Sequence, residues 1–149
     1  MSPDEALDRA GIAARIPHSG AMALLDALQS WSAQGLHCSA ISHRDPANPL
    51  RSQGRLPATA AIEYAAQAMA LHGALACPEG SASTAGFLAS VRAVRLQVAR
   101  LDDIEGPLHI AVQRLAGDAA QALYAFTLDD ERGRRLAEGR AAVILNSLP

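Results

Sequence analysis

Between positions 56 and 77 the chain reads LPATAAIEYAAQAMALHGALAC, an apolar run broken by one carboxylate, Glu63, and one amide, Gln67. At about 1.5 Å per residue, a helix of this length approaches the roughly 30 Å of a bilayer core. Against a membrane span, Glu63, Gln67 and His72 interrupt the run and much of it is Ala rather than Leu or Ile. An acid near mid-span costs on the order of a few kcal/mol, so the run reads as a helix wrapped by the rest of one domain. A charge in such surroundings is paired, protonated or at work, and this helix is where a site is to be sought.

Pro57 suits the start of that helix, where a missing N–H costs little, Pro78 would stop it, and Thr59 is a candidate N-cap; the predicted helix covers residues 58–75. Beyond the loop CPEGSAS the apolar period changes from helical to alternating. TAGFLASVRAVRLQVA, GPLHIAVQRLA, QALYAFTLDD and RRLAEGRAAVIL each alternate, with Leu108, Ile110 and Val112 on one face and Tyr124, Phe126 and Leu128 on another. Short loops bearing Gly, Asp or Pro separate them, which predicts four strands in an antiparallel meander. Upstream, PDEALDRAGIAAR predicts an amphipathic helix over residues 3–15, and LHCSAIS a strand over 36–42. AMALLDALQ is helical by propensity alone, although two strands before the long helix are expected. Residues 43–57, HRDPANPLRSQGRLP, carry three prolines and a glycine and form an irregular loop, a candidate lid or site wall. A sheet curled around one helix explains why that helix is apolar all round, and the expected architecture is α+β, one domain over residues 1–149.

Thirteen basic residues, every one Arg, against fifteen acids give a net charge of −2, which favours neither nucleic acid nor an anionic membrane as the main partner. Cys38 and Cys77 make no disulfide framework or zinc motif, and the amino terminus lacks the pattern of a secretory leader, so a reducing cytoplasm is expected. None of the five histidines has a metal-ligand spacing completed by a third ligand, and no GxSxG, GxGxxG or Walker loop occurs. Neither a metal nor another cofactor is expected.

Glu63 and Gln67 lie four residues apart, on one helix face. Lining a pocket, the carboxylate would serve as an acid or base; otherwise it caps the helix or pairs with an Arg from a neighbouring strand. The N–H groups of Ala58 and Thr59, at the positive end of the helix, are candidates to hold a carbonyl oxygen that gains charge. His37, His72 and His109 read as surface or satisfied histidines, while His18 and His43 stay open. Arg92 and Arg95 either rim a pocket or form a solvated edge.

Three of these strings carry a family likeness. IPHSGAMALLD, LPATAAIEYAAQAMA and GFLASVRAVRL resemble, in that order, the amino-terminal motif, the central helix and the following strand of the hotdog-fold beta-hydroxyacyl-acyl carrier protein dehydratases, and above all the dehydratase-like proteins of aryl polyene and xanthomonadin pigment pathways. The resemblance implies a sheet wrapped around one helix, dimers that join their sheets, and loss of water from a 3-hydroxyacyl thioester held by an acyl carrier protein. It implies catalytic roles for Glu63 and Gln67, with Ala58 and Thr59 at the carbonyl. Pro49 stands where the family has its histidine, which leaves His43 as the nearest upstream histidine for that role, with Asn48 and His18 on the substrate side. Two alternatives accompany this reading: a catalytically silent subunit paired with an active homologue, and an acyl thioesterase. A homodimer or a heterodimer with a homologue is implied.

Overall fold

The computed structural model describes residues 6–18, 20–76, 86–118 and 120–145. The expected strand starts at 35 rather than 36: β1 (Ala27–Ser32) and β2 (Gly35–Ala40) form a hairpin with a two-residue loop. Gly35 is needed there, because a Cβ at this position would collide with the Val112 carbonyl oxygen of the next strand. The segment AMALLDALQ is not helical beyond a 3-10 turn at Gly20–Met22; its second half enters β1, where Leu28 is buried. The amino-terminal helix, α1, is confined to Arg9–Ala13, and residues 1–5 of the expected 3–15 span lie outside the described residues. Asp8 caps it, accepting the Gly11 N–H at 2.9 Å.

The long helix α2 runs Ala61–Ala76, preceded by a 3-10 turn at Ala58–Ala60. Pro57 takes the N-cap position and Thr59 lies inside the turn, so Thr59 is not the cap. The loop around Pro78 and Cys77 lies outside the described residues. Most of α2 is buried, with Tyr64, Ala65, Gln67, Ala68, Leu71 and His72 at 0% exposure. The helix is covered on nearly all sides, as expected, with one stripe left over. Glu63, Ala66, Ala70 and Gly73 form a stripe that its own sheet covers only partly.

Downstream lie β3 (Gly86–Leu96), β4 (Leu108–Gly117), β5 (Gln121–Asp129) and β6 (Arg135–Leu145). The six strands form one antiparallel sheet in the order β1-β2-β4-β5-β6-β3. Both alternating triplets read from the sequence face the core: Leu108, Ile110 and Val112, and Tyr124, Phe126 and Leu128, are all buried. The meander holds only for β4, β5 and β6. β3 sits at the far edge against β6, and residues 97–107 carry the chain back past two strands. This crossover is a packed segment: Leu101 and Ile104 are buried, and its backbone is tied to the start of the helix by Leu101 N–H to Leu56 O at 2.8 Å and Ala58 N–H to Ala99 O at 3.0 Å. A sequence period specifies which face of a strand is buried but not which strand lies beside it.

Asp102 fastens the crossover. Its Oδ1 accepts the Leu56 N–H at 2.9 Å and the Arg100 Nε at 3.0 Å, while Oδ2 takes the Arg100 Nη2. The Arg100 guanidinium holds this carboxyl well below the usual carboxylate range. A depressed folded-state pKa contributes stability that is complete above the unfolded value of about 4 and is lost as pH falls below it. Asp102→Asn is therefore expected to cost about 1–3 kcal/mol at neutral pH and to flatten the stability profile below about pH 4, measured by urea unfolding across that range. A mutant profile parallel to the wild type would show that another group carries the acid sensitivity.

No helix among the described residues is long and apolar enough to cross a membrane. Cys38 is buried in the core, and burial pushes its thiol up to about 12.

Candidate active site

Residues 16–18 and 20–25 form a strap across the first turns of α2, and the contacts that hold it there define the site. Gln67, fully buried, grips this strap at two points: its Oε1 accepts the Leu24 N–H at 3.0 Å, and its Nε2 donates to the Met22 carbonyl at 2.7 Å. The same Nε2 reaches Glu63 Oε1 at 3.3 Å. An amide carries both a donor group and an acceptor, so one side chain satisfies the buried Leu24 N–H and the half-buried Met22 C=O together. Arg9 secures the strap from outside, donating to Gly20 O at 3.2 Å and Ala23 O at 3.0 Å.

So placed, the strap sets His18 against the carboxylate. His18 Nε2 lies 3.1 Å from Glu63 Oε1, with the two side chains 26% and 33% exposed. Glu63 thus has a histidine and an amide beside it. His18 Nδ1 is buried and meets no hydrogen-bond partner among the described residues. With Nε2–H directed at the carboxylate, Nδ1 carries the lone pair and meets no donor among the described residues. A carboxylate and an imidazole in contact, one nitrogen left free, form an acid-base pair able to move a proton at each end.

His43 is placed elsewhere. It is fully buried, its Nε2 faces the Ile104 carbonyl at 3.0 Å, and its backbone carbonyl accepts Arg51 Nη2 at 3.1 Å. Burial lowers its pKa, which favours the neutral ring. Within the protomer it fastens the proline loop to the crossover, and His18 rather than His43 is the histidine that meets Glu63. Asn48 is buried too, with its Nδ2 donating to Ser42 O at 3.0 Å and to the Tyr64 hydroxyl at 3.2 Å. At the start of the helix, the Ala58 N–H is already used by Ala99 O, which leaves Thr59 as the other of the two candidate donors.

Two residues of this neighbourhood did not stand out in the sequence. Tyr64 bonds Ser42 Oγ at 2.7 Å, and Ser42 Oγ donates to the Leu24 carbonyl at 2.8 Å. Leu24 is thereby held at its N–H by Gln67 and at its C=O by Ser42. A tyrosine next to Glu63 in an apolar helix was the available signal, because a buried phenol requires a polar partner. A cleft of about 170 Å³ opens beside this network, lined by Leu24, Leu25, Ile41, Ser42 and Asn48 with Arg9 at its side. The remaining histidines are satisfied: His72 bonds the Tyr124 hydroxyl at 2.8 Å and Ser32 O at 2.9 Å, and His37 and His109 bond one another at 3.0 Å. Among the described residues no three His, Cys, Asp or Glu side chains are grouped to hold a metal ion.

Comparison with known proteins places this geometry in context. The family described as ApeP-like, ApeP dehydratase, matches residues 10–147. Among solved structures, the dehydratase heterocomplex ApeI:P from Xenorhabdus doucetiae contains a similar chain, with a TM-score of 0.81, 28% identity and 91% of each chain covered. A thioesterase from Haemophilus influenzae superposes with a TM-score of 0.69 at 11% identity, covering 99% of this chain and 96% of its own. A Pseudomonas aeruginosa thioesterase variant gives 0.69 at 13% identity, with 95% and 96% covered. The thioesterases share the hotdog fold, and at these identities the likeness extends no further. No functionally curated protein matches significantly.

Proposed function

The chain belongs to the ApeP-like dehydratase family, and from that premise we propose that it removes water from a 3-hydroxyacyl thioester carried by an acyl carrier protein, with His18 and Glu63 as the reacting pair. The observation that carries this reading is the 3.1 Å contact between His18 Nε2 and Glu63 Oε1 on a strap pinned by Gln67. Uncovered to substrate by a small turn of the strap, the otherwise buried Nδ1 of His18 accepts the proton from the carbon next to the thioester carbonyl. The proton on Nε2 passes to Glu63, which protonates the departing hydroxyl. A C–H and a C–O bond break, a C=C bond forms, and water and an enoyl thioester leave. Thr59, whose N–H lies at the positive end of the helix, would steady the carbonyl oxygen as it gains charge. Gln67 is a positioning residue, and Asn48 and His43 shape the loop that walls the site.

The sheet also suggests how the site is completed. The stripe Glu63, Ala66, Ala70 and Gly73, left half-covered by the protomer's own sheet, would face a second subunit, homologous in fold, joined at the free edge of β3. The similar Xenorhabdus chain comes from a heterocomplex, which supports a partner of this kind. An acyl chain would then run along the small residues between the two helices.

The test supplies 3-hydroxyacyl and enoyl thioesters on a carrier protein and follows enoyl absorbance together with free thiol release. Dehydration without thiol release is the expected result. Thiol release alone would make the protein a thioesterase, and no turnover of either kind, alone or with a homologous subunit, would make it the silent member of a pair.

A further inference from the structure

β3 has one hydrogen-bonded neighbour, β6, and its other edge is open. Leu88, Val91 and Leu96 are 37%, 36% and 39% exposed along it. A long open edge with apolar side chains is a template for pairing with another chain. Its charge is one-sided: residues 86–99, GFLASVRAVRLQVA, contain Arg92 and Arg95 and no acid. On the neighbouring strand the residue opposite Arg92 is Arg140, a like-charge pair that weakens a sheet. Opposite Arg95 stands Glu138, whose carboxylate already accepts Arg135 Nη1 at 3.2 Å. Among the described residues none of Arg92, Arg95 and Arg140 meets a carboxylate.

The strand is also irregular at this point. Its register shifts between Leu88 and Ser90 and again between Arg92 and Arg95, and Ala93 has a φ of 54°, a conformation that residues other than Gly rarely adopt. Bulges on an edge restrict pairing to a partner of matching shape. A second copy joined antiparallel about Val91, the middle of the strand, would set the two Arg92 residues about 8 Å apart on the same face of the joined sheet. That is within the Debye length of about 10 Å at 0.1 M salt.

We propose that the open edge of β3 selects its occupant by charge: it takes a homologous subunit whose joining strand is acidic, and it rejects a second copy of this chain. The inference rests on the sheet-joined arrangement proposed above and adds the chemistry that decides between the two kinds of dimer. Like charges brought together exclude the wrong partner, while opposite charges speed and favour the right one.

The test needs no identified partner, because the charge-reversed chain, R92E/R95E, serves as the probe. Both positions are exposed, so the variant should keep the wild-type circular dichroism. By sedimentation velocity at about 0.1 M salt, each protein alone is expected to be monomeric and the equimolar mixture to form a 1:1 dimer, with affinity about 10- to 100-fold above that of either self-association. At about 1 M salt, where the Debye length falls to about 3 Å, that advantage should vanish. Leu96→Ser should weaken the mixed dimer, which would identify the joined edge. A wild-type dimer as tight as the mixture and indifferent to salt would overturn charge selection while leaving the sheet-joined arrangement standing. A mixed dimer untouched by Leu96→Ser would remove the edge itself. Were the mixture no tighter than its components, and turnover by R92E/R95E lost on carrier-bound but not on free pantetheine thioesters, the arginines would belong to the carrier and the proposal would fail.

Discussion

Glu63→Gln is expected to lower the rate of 3-hydroxyacyl thioester dehydration by about 10²- to 10⁴-fold, the range for removal of a positioned acid or base. The substitution is close to isosteric, and a partly exposed amide can still receive His18 Nε2–H and meet Gln67, so the thermal midpoint should stay near the wild-type value. The fall should appear in kcat rather than KM, because the lost group acts on the reacting bonds and not on the acyl chain. His18→Asn should have an effect of similar size. A double variant then separates a coupled pair from two independent groups. If His18 and Glu63 pass one proton between them, removing both should cost little more than removing either, as for residues that act as a unit. Losses that multiply would mean that the 3.1 Å contact is not the working arrangement, and full activity in Glu63→Gln would remove the assignment altogether.

How much of this was legible in the sequence depended on the range of the interaction. The helix was found within a few residues of its ends, and the buried faces of β4 and β5 were found residue by residue, because both follow from periods of 3.6 and 2 within a short window. The pairing of Gln67 with Glu63 followed from the same local rule. What the sequence did not disclose was non-local. The strand beside β6 is β3, the carbonyl that occupies the Ala58 N–H is that of Ala99, and the histidine beside Glu63 comes from the strap rather than the proline loop. The likeness to dehydratases directed attention to the loop before the helix, where Pro49 stands, and so toward His43. Within the protomer His43 is sealed beneath the crossover, a connection that no sequence period reveals. Pro17 and His18 were visible as a motif, but their geometry depended on which residue gripped the strap.

That grip is the second substitution of large effect. Gln67→Leu keeps most of the side-chain volume and removes every polar atom, leaving the buried Leu24 N–H and the half-buried Met22 carbonyl without their partners. Each such group costs about 1–3 kcal/mol, so a loss on the order of 2–5 kcal/mol is expected. For a chain of this size that lowers Tm by about 5–15 °C. Activity should fall further than stability alone explains, because a strap released from α2 no longer sets His18 against Glu63, and a displacement of about 1 Å can cost 10²-fold. The readout that a merely destabilised variant would not move is local: amide exchange at Leu24 should accelerate well beyond that of core amides such as those of Ile110 and Phe126, at a temperature where the variant is still folded. Gln67→Glu provides the complementary case, since its carboxylate can accept the Leu24 N–H but cannot donate to Met22 and places a second acid one turn from Glu63. It should recover part of the Leu24 protection and little of the rate. Leu24 exchange and kcat both unchanged in Gln67→Leu would show that the strap is held by Arg9 and Ser42 without the amide, and that the pairing of His18 with Glu63 does not depend on it.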